Sequence, residues 1–120
     1  MKRVLVVEDT EDNRQIIRDL LTSAGYEMIE AINGEQGVAM AAEHRPDLIL
    51  MDIQLPVLDG YEATRRIKAN PALRHIPVIA VTSYALSGDE ERTREAGCDA
   101  YVAKPFSPRL LLAKVRGFLE

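Results

Sequence analysis

The sequence has little cysteine, no cluster of basic residues and no long run of apolar residues. Its one cysteine, Cys98, excludes an internal disulfide framework and a cysteine-rich zinc site. Fifteen lysines and arginines against nineteen aspartates and glutamates give a net charge of −4, which argues against binding along a nucleic-acid backbone. No stretch approaches the roughly 18 apolar residues of a membrane span, and the apolar run near Met1 is too short for a signal peptide. We therefore expect a cytoplasmic protein with no direct nucleic-acid binding and no membrane insertion.

What the sequence does contain is the composition of a folded domain. Of its 120 residues, 47% are apolar and 28% are charged, which excludes wholesale disorder. The length suits one ordinary domain, residues 1–120, large enough to bury a core. No linker, internal repeat or low-complexity segment divides the chain.

Five short apolar runs predict the strands of a parallel sheet. Several are almost continuously apolar, which is typical of strands buried on both faces. The predicted strands are Val4–Val7, Tyr26–Ile32, Leu48–Met51, Val78–Val81 and Ala100–Ala103.

The stretches between these runs predict helices, and their ends carry stop and start signals. Gly25 and Gly97 are expected to end helices. The segment Ser87-Gly88-Asp89-Glu90 reads as a capping box that opens a helix, and Ser107-Pro108 supplies a cap and a first-turn proline for another. Alternation of strand and helix predicts an α/β fold, a doubly wound (βα)5 domain with right-handed crossovers and the flavodoxin-like strand order 2-1-3-4-5.

Polar residues gather where the predicted strands end. Glu8 and Asp9 follow the first strand, Asp52 follows the third, Thr82 ends the fourth, and Lys104 follows the fifth. In an open α/β sheet, sites form at the carboxyl ends of the strands, so these side chains are expected to meet. Taken singly, the acidic pair would more often favour a helix dipole, and the threonine and lysine would be ordinary strand-end residues. Together they favour a functional site.

The residue types at this edge indicate phosphoryl chemistry with a hard cation. Three carboxylates repel one another unless a cation or protons intervene, and oxygen ligands without histidine or cysteine suit Mg²⁺. Lys104 and Thr82 offer a cation and a hydroxyl to phosphoryl oxygens. A carboxylate beside a metal and a lysine can act as a covalent nucleophile toward phosphorus.

The chain resembles a receiver domain of the two-component response-regulator family over nearly its whole length. The matching segments are VLVVED, DLILMDIQLPVLDGYEATRRIK, IPVIAVTS and AYVAKPFSP. The resemblance implies that Asp52 accepts the phosphoryl group and that Thr82 and Lys104 bind its oxygens. It also implies that Asp9 binds Mg²⁺ directly and that Glu8, where many members have aspartate, acts mainly through water.

The resemblance assigns roles to three further positions. The backbone carbonyl of Gln54 would complete the protein ligands of Mg²⁺, and the Lys104–Pro105 peptide bond would be cis. Tyr101 matches the switch aromatic of the family, although its spacing alone favours an ordinary half-buried strand tyrosine.

Cys98, next to Gly97, is expected to be a small packed side chain.

These implications make a phosphorylation-dependent signalling switch the first hypothesis. A histidine kinase or phosphotransfer protein would phosphorylate Asp52, and Thr82 and Tyr101 would pass the change to a face formed by helix 4, strand 5 and helix 5, where a downstream target binds. The only reactions expected of the domain itself are its own phosphorylation and dephosphorylation.

Three alternatives stay open at the level of sequence. DGYEATRRI also resembles receiver modules of hybrid histidine kinases, although Met1 and the compact end favour a stand-alone receiver. A haloacid-dehalogenase-like phosphatase normally has a second acid two residues after the nucleophile, where this chain has Gln54. A flavodoxin-type module needs a phosphate-binding loop after the first strand, where Glu8-Asp9-Thr10 would repel phosphate.

Overall fold

The fold is a five-stranded parallel sheet with helices between consecutive strands. The computed structural model describes residues 1–82 and 89–120. The strand order is 2-1-3-4-5, and every neighbouring pair is parallel, as the sequence predicts. The strands are β1 Arg3–Val7, β2 Glu27–Ala31, β3 Leu48–Asp52, β4 Val78–Thr82 and β5 Ala100–Ala103.

The bounds of β2, β3 and β4 differ from the predicted bounds. β3 and β4 each extend one residue further and include Asp52 and Thr82. The extension follows from pairing, because Asp52 lies opposite Val81 and Thr82 lies opposite Ala103 in the ladder. β2 is shorter than the apolar run that predicts it, since Tyr26 and Ile32 lie outside its hydrogen-bonded ladder.

Five helices connect or follow the strands in the described residues. They are α1 Glu11–Ser23, α2 Gly34–His44, α3 Gly60–Ala69, α4 Asp89–Ala96 and α5 Pro108–Leu119. α5 begins at the predicted cap, where the Ser107 side chain accepts from the Leu110 N–H. Gly25 and Gly97 have φ of +88° and +103° just after α1 and α4, a backbone region that glycine enters without a steric penalty. The predicted capping box at residues 87–90 lies outside the described residues except for its last two positions.

The central strands are buried on both faces, as their apolar runs predict. All residues of β3 and β4 are buried. Alternate strand residues face two separate cores. One core contains Val4, Val6, Leu48, Leu50 and Ile79 with α1 and α5 residues Ile17, Leu21, Leu111 and Val115. The other contains Leu5, Val7, Ile49, Met51 and Val78 with Ala41, Ala63, Ile67, Leu73 and Ile76.

A close contact between α3 and β3 fixes the backbone around Asp52. A Cβ added to Gly60 would lie 2.3 Å from the Asp52 carbonyl oxygen and 2.7 Å from the Ile53 Cα. The Gly60 N–H also donates to the Ile53 carbonyl, at 3.0 Å. The Asp59 side chain caps the same helix by accepting from the Glu62 N–H at 2.9 Å. The start of α3 is therefore held directly against the end of β3.

No helix among residues 1–82 and 89–120 has the length and apolar character needed to cross a membrane.

Candidate functional site

The carboxyl ends of β1, β3 and β5 bring together the acidic residues and the lysine that the sequence singles out. Glu8 follows β1 and is 2% exposed, Asp52 ends β3 and is 3% exposed, and Asp9 is exposed to solvent. Carboxylate oxygens of the three residues all lie within 4.8 Å of one another. In the part of the chain that the structure describes, they are the one such acidic cluster. Three charges this close repel strongly in a partly buried setting.

Lys104 reaches into the cluster from the end of β5. Its Nζ lies 2.9 Å from Asp52 Oδ2 and 3.1 Å from Glu8 Oε1. Burial alone would lower the pKa of this amine, but hydrogen bonds and ion pairs with Asp52 and Glu8 together raise it above its usual value. The lysine is therefore charged at neutral pH and offsets part of the repulsion.

The backbone before and after Lys104 is fixed by β4 and by a cis peptide bond. The Lys104 N–H donates to the Thr82 carbonyl at 2.7 Å, which continues the β4–β5 ladder by one residue. The Lys104–Pro105 peptide bond is cis, as the resemblance implies. The hydrogen bond holds the backbone of Lys104 to the end of β4, which pairs with the end of β3 where Asp52 lies.

Glu8 accepts hydrogen bonds from Thr10 and Asn13, for which the sequence predicts no role in the site. Its Oε2 accepts from the Thr10 N–H at 3.0 Å, and its Oε1 accepts from Asn13 Nδ2 at 3.4 Å. Both donors lie at the start of α1, where free N–H groups favour an anion. The position of Asn13 in the first turn after the acidic pair is the signal that could have identified it. These donors and Lys104 together account for the burial of a carboxylate.

Asp52 is held by its own loop as well as by Lys104. Its Oδ1 accepts from the Gln54 N–H at 3.0 Å, so the two carboxylate oxygens have different partners. Gln54 itself is exposed, two residues beyond the end of β3. The role of its carbonyl as a metal ligand stays a prediction.

The surroundings of Asp9 favour the protonated form of its carboxyl group. Partial burial, followed by a hydrogen bond and repulsion from Glu8, raises the pKa of Asp9 above 3.8. Folding therefore favours its protonated form. In the metal-free protein the stability linked to Asp9 is fully present below pH 3.8 and is lost as the pH rises through the raised pKa.

Thr82 and Tyr101 lie on the neighbouring strands β4 and β5. Thr82 ends β4 and is fully buried, and Tyr101 is half-buried in β5. Tyr101 lies opposite Ala80, which shares a strand face with Thr82. The tyrosine packs against a small cluster that includes Ile53, the residue after Asp52. Ala80 of β4 belongs to the same small cluster, so β4 and the residue after β3 both pack toward Tyr101 of β5.

Cys98 has the environment of a packed side chain. Its Sγ lies 3.8 Å from Thr64 Oγ1, and it packs beside Tyr101 against the same cluster. Burial raises the pKa of the Cys98 thiol, which keeps it in the less reactive protonated form at neutral pH.

The sequence is similar to a known family model and to known proteins over nearly its whole length. A family model described as the response regulator receiver domain matches residues 4–116. The polar-differentiation response regulator DivK from Brucella anthropi is 51% identical over 118 residues, which cover 98% of this chain and 96% of that protein.

Solved structures have the same fold over the same length. The receiver domain of the sensor histidine kinase PA1611 from Pseudomonas aeruginosa PAO1, with a magnesium ion coordinated in its active site cleft, is 43% identical with a TM-score of 0.91. The match covers 98% of this chain and 96% of that one. The chemotaxis protein CheY4 of Vibrio cholerae is 28% identical with a TM-score of 0.92, and the match covers 98% of each chain.

Proposed function

The chain belongs to the response regulator receiver domain family, and from that premise we propose that residues 1–120 form one phosphorylation-controlled signalling domain. Receiver domains are signalling switches of two-component systems rather than conventional enzymes. The phosphoryl donor is a histidine kinase or a phosphotransfer protein, and the acceptor is Asp52. The observation that carries this assignment is the buried Asp52 carboxylate, 2.9 Å from Lys104 Nζ and surrounded by two further acids.

The residues of the site divide the work of phosphoryl transfer. A carboxylate oxygen of Asp52 attacks phosphorus, the bond from phosphorus to the histidine nitrogen of the donor breaks, and that nitrogen leaves with the electron pair. Lys104 carries the positive charge that the transferred oxygens need, and the Thr82 hydroxyl supplies a hydrogen bond to one of them. The aspartyl phosphate is later hydrolysed at the same site, so the reactions are self-phosphorylation and dephosphorylation.

The acidic cluster fits a magnesium ion. Its donors are all carboxylate oxygens, and they converge within 4.8 Å, the chemistry that Mg²⁺ prefers. Asp9 and Asp52 would hold the ion directly with the Gln54 carbonyl, while Glu8, already bound by Lys104 and Thr10, would act mainly through water. Bound Mg²⁺ would neutralise phosphoryl charge at the site. The magnesium in the related PA1611 receiver supports this assignment.

Mg²⁺ should therefore raise the melting temperature, and Asp9→Ala should remove most of that response. At a concentration one hundred times its Kd, an ion that binds only the folded state adds about 2.7 kcal/mol to the free energy of unfolding. In EDTA the variant should melt above the wild type, because one of three mutually repelling carboxylates is gone. Thermal melts with and without Mg²⁺ measure both effects. An equal Mg²⁺ shift in the variant would place the ion elsewhere.

The signal leaves the site through Thr82 and Tyr101. If the Thr82 hydroxyl moves toward the phosphoryl oxygens, the Tyr101 ring gains room to turn inward. That rotation changes the face formed by α4, β5 and α5, where a downstream protein binds. A difference of a few kcal/mol between two states is enough for a switch.

Thr82→Ala should keep phosphorylation at Asp52 and lose much of the change at Tyr101. Asp52, Lys104 and the acids remain, so transfer continues at a reduced rate. Side-chain NMR signals of Tyr101, recorded with and without beryllofluoride, measure the coupling. Thr82→Ser is the control, because it keeps the hydroxyl and removes only a methyl group, and it should leave the response intact. The same response in Thr82→Ala as in the wild type would show that Thr82 does not carry the signal.

Acetyl phosphate tests the proposed reaction without a kinase. With Mg²⁺ the chain should gain one acid-labile phosphoryl group, detected by intact-mass spectrometry. A small aspartate-nucleophile phosphatase would instead turn over p-nitrophenyl phosphate, and Gln54 occupies the position where such an enzyme normally has its second acid. If the chain turns over p-nitrophenyl phosphate and is not labelled by acetyl phosphate, the phosphatase becomes the first proposal and the signalling domain the second.

Two settings for the domain follow from its relatives. The DivK relative, 96% of which is covered by the match, supports a receiver that works as its own protein, and we propose the cytoplasm as its location. The PA1611 relative supports the alternative of a receiver module in a hybrid histidine kinase. In either setting we propose protein partners and no direct contact with nucleic acid. Phosphotransfer rates from a panel of purified histidine kinases would identify the cognate donor.

A further inference from the structure

Arg14, on the second turn of α1, is bound to the backbone of the acidic loop, residues 8–10 between β1 and α1. Its Nη1 donates to the Glu8 carbonyl at 2.7 Å, and its Nε lies 3.2 Å from Glu30 Oε1 on β2. Its Nη2 pairs with the Glu11 carboxylate in the first turn of the same helix. The side chain is only 11% exposed, so this is not an ordinary solvated arginine. The guanidinium joins the acidic loop, α1 and the edge strand β2.

The Glu8 carbonyl belongs to the peptide bond that joins Glu8 to Asp9. On the other side of Glu8, its N–H donates to the Ala31 carbonyl of β2 at 3.0 Å. Both backbone groups of Glu8 are thus fixed, one by the β-sheet and the other by Arg14. The orientation of this peptide determines where the Glu8 and Asp9 carboxylates point. Arg14 therefore restrains the backbone that carries Glu8 and Asp9. None of the contacts described for it involves the carboxylate of either residue.

We propose that Arg14 is a positioning residue for the metal site, and this rests on the proposed function. Holding the Glu8–Asp9 peptide keeps the carboxylates in the arrangement that a cation needs, against their mutual repulsion. Without Arg14 this peptide loses the restraint on its carbonyl, and the acids must be reordered when the ion binds. Residues that do not bind a metal themselves but hydrogen-bond to the metal-binding residues fix the orientation of those residues and so strengthen metal binding.

Arg18 is a matched control within the same helix. It pairs with Glu30 and Glu11, the same two acids that Arg14 binds, but none of the contacts described for it involves the acidic loop. Arg14→Met and Arg18→Met each remove one positive charge near the cluster. By Coulomb's law alone, either loss should strengthen cation binding. A positioning role predicts the opposite sign for Arg14 only.

The experiment measures Mn²⁺ affinity, as a probe for Mg²⁺, from the EPR signal of the free ion at a temperature where every variant is folded. Arg14→Met should bind Mn²⁺ about tenfold more weakly than the wild type, whereas Arg18→Met should stay within about twofold. Arg14→Lys should recover part of the loss, because one ammonium can reach the carbonyl but cannot also bridge to β2. In phosphorylation by acetyl phosphate, Arg14→Lys should need more Mg²⁺ for half-maximal rate and keep its rate at saturation.

The outcomes separate this inference from the proposed function. If the wild type binds Mn²⁺ and Arg14→Met binds it as tightly or more tightly, the positioning role is wrong and the metal site stands. If Arg14→Met fails to fold, unchanged Mn²⁺ affinity in Arg14→Lys overturns the proposal in the same way. If the wild type itself binds no Mn²⁺, the proposed metal site fails and the role of Arg14 fails with it.

Discussion

Asp52→Asn should reduce labelling by acetyl phosphate to background, a loss on the order of a thousandfold or more, as expected when a covalent nucleophile is removed. The amide nitrogen and oxygen of asparagine keep the shape of the side chain but lack the charge that attacks phosphorus. Lys104, Thr82 and the acids after β1 remain, so any residual labelling reports how much the rest of the site achieves without a nucleophile. Intact-mass spectrometry after incubation with Mg²⁺ measures the result.

The same substitution should leave the fold intact. It removes one charge from a cluster of three repelling carboxylates, and Lys104 keeps its ion pair with Glu8 at 3.1 Å. Asp59→Asn is the matched control, because it changes an aspartate on the neighbouring loop and asparagine caps a helix equally well. The control should be labelled like the wild type. Full labelling of Asp52→Asn, or a phosphoryl group mapped to Asp9 in the wild type, would contradict the assignment of the acceptor.

The fold was predictable because burial leaves a simple pattern in parallel strands. A strand covered on both faces must be apolar at nearly every position, and β3 and β4 satisfy this with residues that are all buried. Because Asp52 and Thr82 are polar, the pattern predicts them just after their apolar runs or at the ends of these runs. Their inclusion in the ladders depends on partners in neighbouring strands, Val81 and Ala103, which the pattern of one strand does not contain.

Within the site, individual residues could be predicted only when the chain order brought them to the strand ends. Glu8, Asp9 and Lys104 directly follow strands, so topology alone places them at one edge of the sheet. Arg14 carries no such signal, because a polar residue on the second turn of an amphipathic helix normally faces solvent. Its partner Glu30 lies on β2, and only the packing of α1 against that strand brings the two together.

The role of Lys104 in stability predicts the second large effect. Glu8 and Asp52 have side chains that are each 3% exposed, and Lys104 is the cation that lies within 3.1 Å of both. Lys104→Met keeps the apolar stem and removes the charge, which leaves two buried carboxylates facing each other. Removal of one partner from a buried ion pair typically costs about 3–5 kcal/mol. We expect a loss of this size in the free energy of unfolding at neutral pH in EDTA.

Mg²⁺ should reverse much of the loss in Lys104→Met. Mg²⁺ supplies positive charge among the same carboxylates, so its stabilising effect should be larger in the variant than in the wild type. Because the pKa of Lys104 is raised, the stabilisation that it provides is fully present below its ordinary value of 10.5. This stabilisation is lost as the pH rises through the raised pKa.

Lys68→Met distinguishes this electrostatic role from the general cost of removing a lysine. Lys68 is 19% exposed against 18% for Lys104, and its Nζ lies 3.0 Å from Asp99 Oδ2, outside the acidic cluster. The control should lose stability without a larger Mg²⁺ response and should keep its labelling by acetyl phosphate. Lys104→Met should also be labelled far more slowly, because the transferred oxygens lose their positive partner. Equal stability of Lys104→Met and wild type in EDTA would mean that the carboxylates do not depend on this amine, and the electrostatic account of the site would be wrong.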